Sequence, residues 1–586
     1  MSYEPFSIKK HIQKHFLLPI QYGHTKHELS ENIATELELT KSIDEKELSI
    51  YDTIYNPTNI ASSTILSTFA KTYSNNVDFL KETQQLIKSL KKEDINTIRN
   101  KHEFSDNKIN DIVSLMDEIK NDSGFHEKYS YIDWTFAKDT CNNNPFILQL
   151  TSIYNICSPI LTLLVPIFVL IIPFIVVKLQ FGQFTLEKYI EILKTLISSN
   201  SVYKAITEFN NTDITNGHRV YLILSASLYI FSIYQNILHC VRFYANIQKI
   251  NTALYTFKKY IAYTLDVVSY YHSKSNKLTN YDKFNSELMI HYNSCKHIYK
   301  KLEFIDKFDV SINKVSQLGN MMYLFYQLYD NEEYLSTISY SLGFNGYFDL
   351  CCTASEHVSS RRLVKTSFRT NKKKRPVFKN MYYPKFICEN EKSVKNDCDL
   401  TKNMVMSGPN ASGKTTTLKS VFINILLSQQ IGYGCFDSLK LTPIKHFYCY
   451  LNIPDTSGRD SLFQAEARRC SDIIKEIESD DEYTHFCIFD ELYSGTNPDE
   501  ASKSAYAFIK YLARKKNACF MLTTHYIDVC KKLLNNDHIE NKCMGILETG
   551  DDFEYTYKIK QGISEVRGGI KVLKELDYPE EMLVDI

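Results

Sequence analysis

Ser407-Gly408-Pro409-Asn410-Ala411-Ser412-Gly413-Lys414-Thr415-Thr416-Thr417-Leu418-Lys419 is the stretch on which the reading of this chain turns. It satisfies G-x-x-x-x-G-K-[ST], with Gly408, Gly413, Lys414 and Thr415 at the fixed positions. A short apolar run, Met404-Val405-Met406, precedes it, and a helix-like run from Leu418 to Leu427 comes after it. Strand, glycine-bearing loop and helix in that order build a phosphate cradle. Glycines let backbone N–H groups turn inward onto phosphate oxygens, and the helix N-terminus adds its partial positive charge. The segment from Gly408 to Thr416, with Pro409, Asn410, Ala411 and Ser412 between the two glycines, is therefore expected to hold the phosphates of ATP. Lys414 is expected to reach the outer phosphates, and the Thr415 hydroxyl to bind Mg²⁺.

Further pieces fall downstream in the order such a site requires. His485-Phe486-Cys487-Ile488-Phe489 reads as a buried strand and runs into Asp490-Glu491, 75 residues beyond Thr415. An Asp at the end of such a strand holds Mg²⁺ through water, and the next Glu orients or deprotonates the attacking water. Phe520-Met521-Leu522-Thr523-Thr524 reads as another strand, ending in His525, which is placed to sense or polarise the γ-phosphate region.

Four ordered segments now resemble one family: GPNASGKTTTLK from Gly408, SGRDSLFQAEARR from Ser457, FCIFDELYSGTNPDEA from Phe486 and LTTHY from Leu522. Together they look like the ATPase domain of the MutS family of mismatch-repair proteins. The tail from Tyr557 to Leu583 resembles that family's closing segment. The resemblance covers residues 380–586, and the transporter-type signature LSGGQ is absent. It implies a phosphate loop at Gly408–Thr416, Mg²⁺ on Thr415 and Asp490, Glu491 as general base and His525 as switch histidine. It also implies a homodimer: Ser461, with Phe463 and Glu466 in an S-x-F-x-x-E pattern, reaches the partner's nucleotide, so each site is composite. Double-stranded DNA is the partner the resemblance implies.

The chain also departs from the family. Ser393, in EKSVKNDCDL, stands where many relatives carry an aromatic that stacks on adenine, and Tyr493-Ser494-Gly495-Thr496 lacks the Arg of G-R-G-T. No mismatch-reading domain is recognisable near the N-terminus. Phe125-His126-Glu127 spells the F-x-E of a mismatch wedge, but it lies far into the chain, and the competing reading is an ordinary exposed helix or loop.

Outside the ATPase third the sequence is helical in pattern. The chain has 586 residues, which favours three or four domains, and its 68 basic and 68 acidic residues cancel, so only local patches bear on nucleic acid. Fifteen cysteines lie without any C-x-x-C pair, which reads as reduced, intracellular thiols and no zinc site. The N-terminus lacks a signal-peptide core. Val77, Leu80, Leu86 and Leu90 lie near helical spacing. From Cys141 to Val177 there is no charge, and PILTLLVPIFVLIIPFIVV from Pro159 is almost wholly apolar. A bilayer core needs about 20 such residues in a helix. Pro166 and Pro173 are tolerated in such a span. A second charge-free run goes from Val220 to Val241. The pair reads as a membrane hairpin with its connector at 178–219 and the ATPase domain on the cytosolic side; the competing reading is a buried helical pair. Ile247, Ile250, Leu254, Phe257, Ile261, Leu265 and Val268 then mark one face of a long lever-like helix, continued through 282–305. Arg361 to Arg375 holds eight basic residues and no acidic one, a solvated linker or a phosphate-contacting patch.

The fold expected is thus multidomain: a mostly α-helical N-terminal part and lever region with a two-span membrane hairpin, then a C-terminal α/β P-loop domain of the ABC type. The segments are 1–140, 141–245, 246–375 and 376–586. The function expected is ATP binding and hydrolysis with Mg²⁺, coupled to duplex DNA in mismatch repair, in a chain anchored in membrane lipid. The alternative is a membrane-tethered mechanical or scaffold ATPase that reads no mismatch.

Overall fold

A computed structural model describes residues 5–566 and Tyr578, apart from His24, Asp106, 182–185, 200–215, 372–373, 390–392, 452–460 and 550–551. The chain is mostly helical with a C-terminal α/β region. It divides into two compact units, which cut across the four segments drawn from composition: residues 1–6, 111–261 and 296–335 in one, and 7–110, 262–295 and 336–586 in the other.

Among the described residues, the regular structure of the first unit is all helical. Its helices Pro145–Phe181 and Ile312–Asp330 lie close because Gly319 has no side chain; a Cβ there would sit 2.2 Å from the Pro145 carbonyl oxygen. Its core is aromatic, and Phe125 is fully buried at the centre. The Phe125 ring stacks on Tyr329 at 3.9 Å between centroids and on Tyr131 at 5.3 Å. The F-x-E reading is corrected on this point. Residues 125–128 form one short helix, but Phe125 is core rather than exposed, so it is not available to wedge into a base pair.

The charge-free run from Cys141 becomes most of helix Pro145–Phe181, and the second run opens helix Asn216–Ser275. The two pair antiparallel. Tyr229 Oη donates to the Thr162 carbonyl at 3.1 Å, Asn236 Nδ2 to Thr162 Oγ1 at 2.9 Å, and Cys240 Sγ lies 3.4 Å from the Ile156 carbonyl. The hairpin's outer surface is apolar: Leu150, Ile160 and Ile175 on one helix and Ile223, Leu228 and Val241 on the other are exposed. Among the described residues, these side chains are not buried by the rest of the chain. By length and hydropathy, however, Pro145–Leu164 is the only stretch among the described residues apolar enough to cross a bilayer. The second expected span, 220–241, does not pass that test, so two spans are not established by it. Of the connector, residues 182–185 and 200–215 lie outside the described residues, and Leu186–Ser199 forms a helix.

The second unit carries the α/β region. Its sheet strands, numbered within that sheet, are β1 (Asn403–Ser407), β2 (His446–Tyr450), β3 (His485–Asp490), β4 (Ala518–Thr524), β5 (Ile539–Thr549) and β6 (Asp552–Gln561). Their spatial order is β2-β3-β4-β1-β5-β6; the first five run parallel and β6 returns antiparallel on β5. Uninterrupted apolar strands such as β3 and β4 are what a sheet covered on both faces demands. Helices Leu462–Ser479 and Pro498–Leu512 pack on one face, and Ile473, Ile477, Phe489, Phe508 and Phe520 share a core there. The other face meets the phosphate-loop helix, Lys414–Ile431, whose Phe422 packs against Phe486 and Phe447.

That helix is tied into the N-terminal helices at its far end. Gln430 Nε2 donates to the Phe69 and Ala70 carbonyls at 3.0 and 3.1 Å, and its Oε1 accepts from Tyr51 Oη at 2.6 Å. Gly432 ends the helix at φ +79°, and Gln84 Nε2 donates to its carbonyl at 2.6 Å. A Cβ at Gly432 would fall 2.3 Å from Gln84 Cγ, so both the backbone conformation and the close approach require glycine. The helix Val77–Ser89, expected from its spacing, supplies Gln84 and buries Leu80 and Leu86. The basic run is partly structural: Arg375 donates to Asn403 Oδ1 at 2.8 Å and to the Ala518 carbonyl at 2.6 Å, at the foot of the sheet.

Candidate functional site

The loop between β1 and the phosphate-loop helix needs unusual backbone. Ala411 lies at φ +59° and Gly413 at φ +93°, where Gly413 serves as N-cap. A side chain at Gly413 would be strained, and its Cβ would come within 3.1 Å of the Tyr557 ring. Ser412 Oγ donates to the Pro409 carbonyl at 2.7 Å, which closes the loop on itself. Asn410, Ala411 and Thr416 are exposed, and Lys414 is buried.

Lys414 Nζ donates to the Gly408 and Pro409 carbonyls at 2.9 and 3.0 Å and lies 3.5 Å from His525 Nε2. Burial lowers the Lys414 ammonium pKa, against the opposing pull of Glu491 and Asp490. Thr415 Oγ1 donates to Asp490 Oδ2 at 2.7 Å, and Thr523 Oγ1 donates to Asp490 Oδ1. The Asp490 carboxylate is thereby held at the end of β3, facing the start of the phosphate-loop helix.

Glu491 comes next at φ +51°, out of the strand conformation, with its N–H on the Thr523 carbonyl at 3.2 Å. A left-handed Glu at a strand end is strained backbone, of the kind that clusters at functional sites. Its Oε1 lies 2.6 Å from His525 Nε2. The hydrogen bond from His525 holds the Glu491 carboxyl below the usual carboxylate range; half-burial opposes this, and the charges of His525 and Lys414 add to it. Loop, Lys414, Thr415 and Glu491 thus line a cavity of about 730 Å³, with Asp490 bonded to Thr415 and His525 to Glu491.

The rest of the cavity's lining is what sequence reasoning missed. Tyr382, Tyr383 and Phe386 line it from a flanking segment, Met544 from β5 and Tyr557 from β6. Ser393 occupies the position where a stacking aromatic was sought; Tyr383, Phe386 and Tyr557 supply aromatic faces from elsewhere. The only sequence signal for the first two was the cluster Met381-Tyr382-Tyr383-Pro384-Lys385-Phe386 itself. Glu38 and Glu47 line the cavity from the stretch between the helices Glu31–Glu36 and Ile50–Tyr55, and no pattern in the chain places them there.

Ser461 stands apart. It is not among the cavity's lining residues. It caps the helix Leu462–Ser479, its Oγ accepting the Gln464 N–H at 3.4 Å in a capping box. Glu466 on that helix is buried and grips the loop after Glu491: Oε1 accepts from Ser494 N at 3.1 Å and Ser494 Oγ at 3.0 Å, and Oε2 from Gly495 N at 3.3 Å. Residues 457–460 of the preceding motif, and the tail from Arg567 apart from Tyr578, lie outside the described residues.

The fold and this constellation define a P-loop nucleotide-binding domain. Comparison with known proteins then narrows the class. Residues 404–585 match the family described as MutS domain V. The chain is 28% identical over 186 residues to endonuclease MutS2 of Agathobacter rectalis, covering 31% of this chain and 23% of that protein. It is 26% identical over 230 residues to human DNA mismatch repair protein Msh3, covering 35% and 20% respectively. With DNA mismatch repair protein MutS of Persephonella marina the figures are 25% over 209 residues, 36% and 23%. The C-terminal third of this chain is therefore a MutS domain V, and through it the chain is related to the MutS family. The aligned part spans about a quarter or less of the length of these relatives.

Proposed function

We propose that this chain is a MutS-like ATPase that binds ATP with Mg²⁺, hydrolyses it and works as a dimer on double-stranded DNA. The observation that carries the reading is that the phosphate loop, with Lys414 and Thr415, and Glu491 line one cavity, while Thr415 is bonded to Asp490 and Glu491 to His525. The residues fit the groups they would hold. The buried Lys414 ammonium rests on two carbonyl oxygens, acceptors that phosphate oxygens can replace. The Thr415 hydroxyl and Asp490 carboxylate are the hard oxygen donors that Mg²⁺ takes. Magnesium, when bound there, neutralises charge on the phosphates. Glu491, ionised and held by His525, takes a proton from water, and Lys414 steadies the oxygens that gain charge. Tyr383, Phe386 and Tyr557 offer faces for the adenine. Ser461 serves a partner's nucleotide, which makes the homodimer a requirement of the site.

The finer reading places the chain on a membrane. Support comes from the exposed apolar surface shared by Pro145–Phe181 and the start of Asn216–Ser275, with polar groups such as Asn236 turned onto the neighbouring helix. A bilayer is the solvent that such a surface suits, because polar atoms such as Asn236 Nδ2 and Tyr229 Oη are bonded within the hairpin. With Phe125 buried, this favours as second reading an ATPase tethered to lipid that reads no mismatch.

One experiment addresses both. The purified protein is assayed for ATP hydrolysis alone, with matched duplex and with a single-mismatch duplex, at two salt concentrations, and its flotation with phospholipid vesicles is scored. Mismatch-selective stimulation supports repair sensing; equal, salt-sensitive stimulation supports a DNA clamp without mismatch reading. Hydrolysis that ignores DNA, in protein that floats, supports the second reading. Absence of Mg²⁺-dependent hydrolysis overturns both. Failure to float, or flotation unchanged by Ile160→Lys with Leu228→Lys, overturns the membrane anchor.

A further inference from the structure

Two carboxylates at the end of one short N-terminal helix reach both halves of the nucleotide machinery. Glu36 ends the helix Glu31–Glu36, and Glu38 lies two residues later at φ +55°, with Leu37 fully buried between them. Glu36 is itself buried. Its Oε2 accepts the Leu451 N–H at 2.9 Å, just beyond β2, and its Oε1 pairs with the Arg469 guanidinium. Arg469 lies on the helix that Ser461 caps, about two turns further along, and also donates to the Cys449 carbonyl. Glu38 pairs with Lys419 Nζ at 2.6 Å, on the phosphate-loop helix just after Lys414 and Thr415.

The contacts are directional. A guanidinium presents a rigid fork, so a carboxylate that meets it fixes orientation as well as distance. The Ser461 helix is anchored at Glu466 to the loop after Glu491 and at Arg469 to Glu36. The first anchor lies within the α/β region; the second comes from the N-terminal helices, whose Gln84 and Tyr51 also hold the far end of the phosphate-loop helix. Removing Glu36 takes away the tie to the N-terminal helices and leaves the Ser461 helix held within the α/β region, at Glu466, at the Cys449 carbonyl and through Ile473 and Ile477.

We propose that Glu36, with Glu38 beside it, is a positioning residue for hydrolysis in the partner subunit. It holds the Ser461 helix in register with the phosphate-loop helix, so the N-terminal helices set how Ser461 is presented across the dimer. The inference rests on the composite-site reading above.

The test uses mixed dimers of the full chain in which one subunit carries Glu491→Gln, so that turnover reports only the other subunit's site. Glu36→Gln is placed either on the Glu491→Gln subunit, which supplies Ser461 to the active site, or on the subunit that retains Glu491. The expected result is a fall in kcat of about tenfold in the first arrangement, with KM for ATP changed less than about twofold, and little change in the second. Arg469→Lys, which keeps the charge and loses the fork, is expected to repeat the pattern. A fall that tracks the subunit retaining Glu491, an equal fall in both arrangements or no fall in either overturns the proposal. Ser461→Ala on the Glu491→Gln subunit separates the two layers. If it leaves turnover intact, the composite site is wrong; if it abolishes turnover while Glu36→Gln and Arg469→Lys do nothing, only the positioning role is wrong.

Discussion

Glu466→Gln tests how the loop after Glu491 is held. The native carboxylate is 2% exposed and accepts three hydrogen bonds, two on Oε1 from Ser494 and one on Oε2 from the Gly495 N–H. Glutamine keeps the shape, and its amide oxygen can still serve Ser494. Its NH₂ must then face the Gly495 N–H, donor against donor, in a site closed to water. A hydrogen bond to a charged acceptor contributes roughly 1.5–3 kcal/mol, and leaving a buried donor unpaired costs a similar amount, so the loop loses about 2–3 kcal/mol of local stability. At 1.4 kcal/mol per decade, opening of the loop becomes about 30- to 150-fold more frequent. Amide hydrogen exchange reads this directly: Ser494 and Gly495 should exchange faster by that factor, while the Lys414–Ile431 helix keeps its protection. Turnover should fall with it, since Glu491 lies three residues before Ser494 and needs a fixed exit from β3. Unchanged exchange at Ser494 and Gly495 would refute the reasoning, because the carboxylate would then not be what holds the loop. Faster exchange throughout the domain would also refute it, by showing a general loss of stability in place of a local release.

Three other outcomes are expected. Glu491→Gln should retain ATP binding and lower turnover by about 10²- to 10⁴-fold, the range general-base removal produces; a quench-flow or steady-state assay with normal turnover removes Glu491 from that role. The Glu491 pKa is depressed, chiefly by the His525 hydrogen bond, so its charge and the stability it contributes are present above the unfolded carboxylate pKa near ~4.3 and are lost as pH falls through the lower folded value. The acid limb of kcat/KM should accordingly lie below the usual carboxylate range, and His525→Ala should move it upward; a limb that stays in place in the variant contradicts the pairing. Phe125→Ala should destabilise its helical unit by about 3–5 kcal/mol, as loss of a buried aromatic does, and leave any preference for a mismatch unchanged; a melting curve like that of the native protein, with mismatch preference lost, would return Phe125 to the DNA.

Features that are local, or that strand order dictates, were legible in the sequence. The glycines, Lys414 and Thr415 sit within one loop, and the left-handed Gly413 is a property of that position alone. Asp490 lies 75 residues from Thr415 but could be paired with it, because a buried strand ending in Asp-Glu after a phosphate loop delivers its carboxylate to the same edge of a parallel sheet, here with β4 between the two strands. The aromatic lining of the cavity had no such guide. Tyr383 and Tyr557 lie on either side of the phosphate loop in the chain, and only the flanking segment and the β5–β6 hairpin bring them together, so a search beside Ser393 could not find them. Phe125 shows the same limit from the other side. Its three-letter motif is local, but the Tyr329 ring that stacks on it comes from a helix 204 residues away, and that partner decides that it is core. Glu36 is the sharpest case. Nothing in Glu31–Glu36 marks it apart from any short polar helix, and Arg469 is one basic residue in a helix full of charge. Their pairing across 433 residues is specified only by the packing of the N-terminal helices on the phosphate-loop helix. Such a pair contributes little unless it is desolvated, and a half-broken buried pair is far more costly than an absent one. The consequence is asymmetric: Glu36 and Arg469 should be replaceable together by apolar residues with less harm to stability than either alone, yet that double replacement should still lower turnover, because an apolar contact fills space without fixing the direction in which the Ser461 helix points.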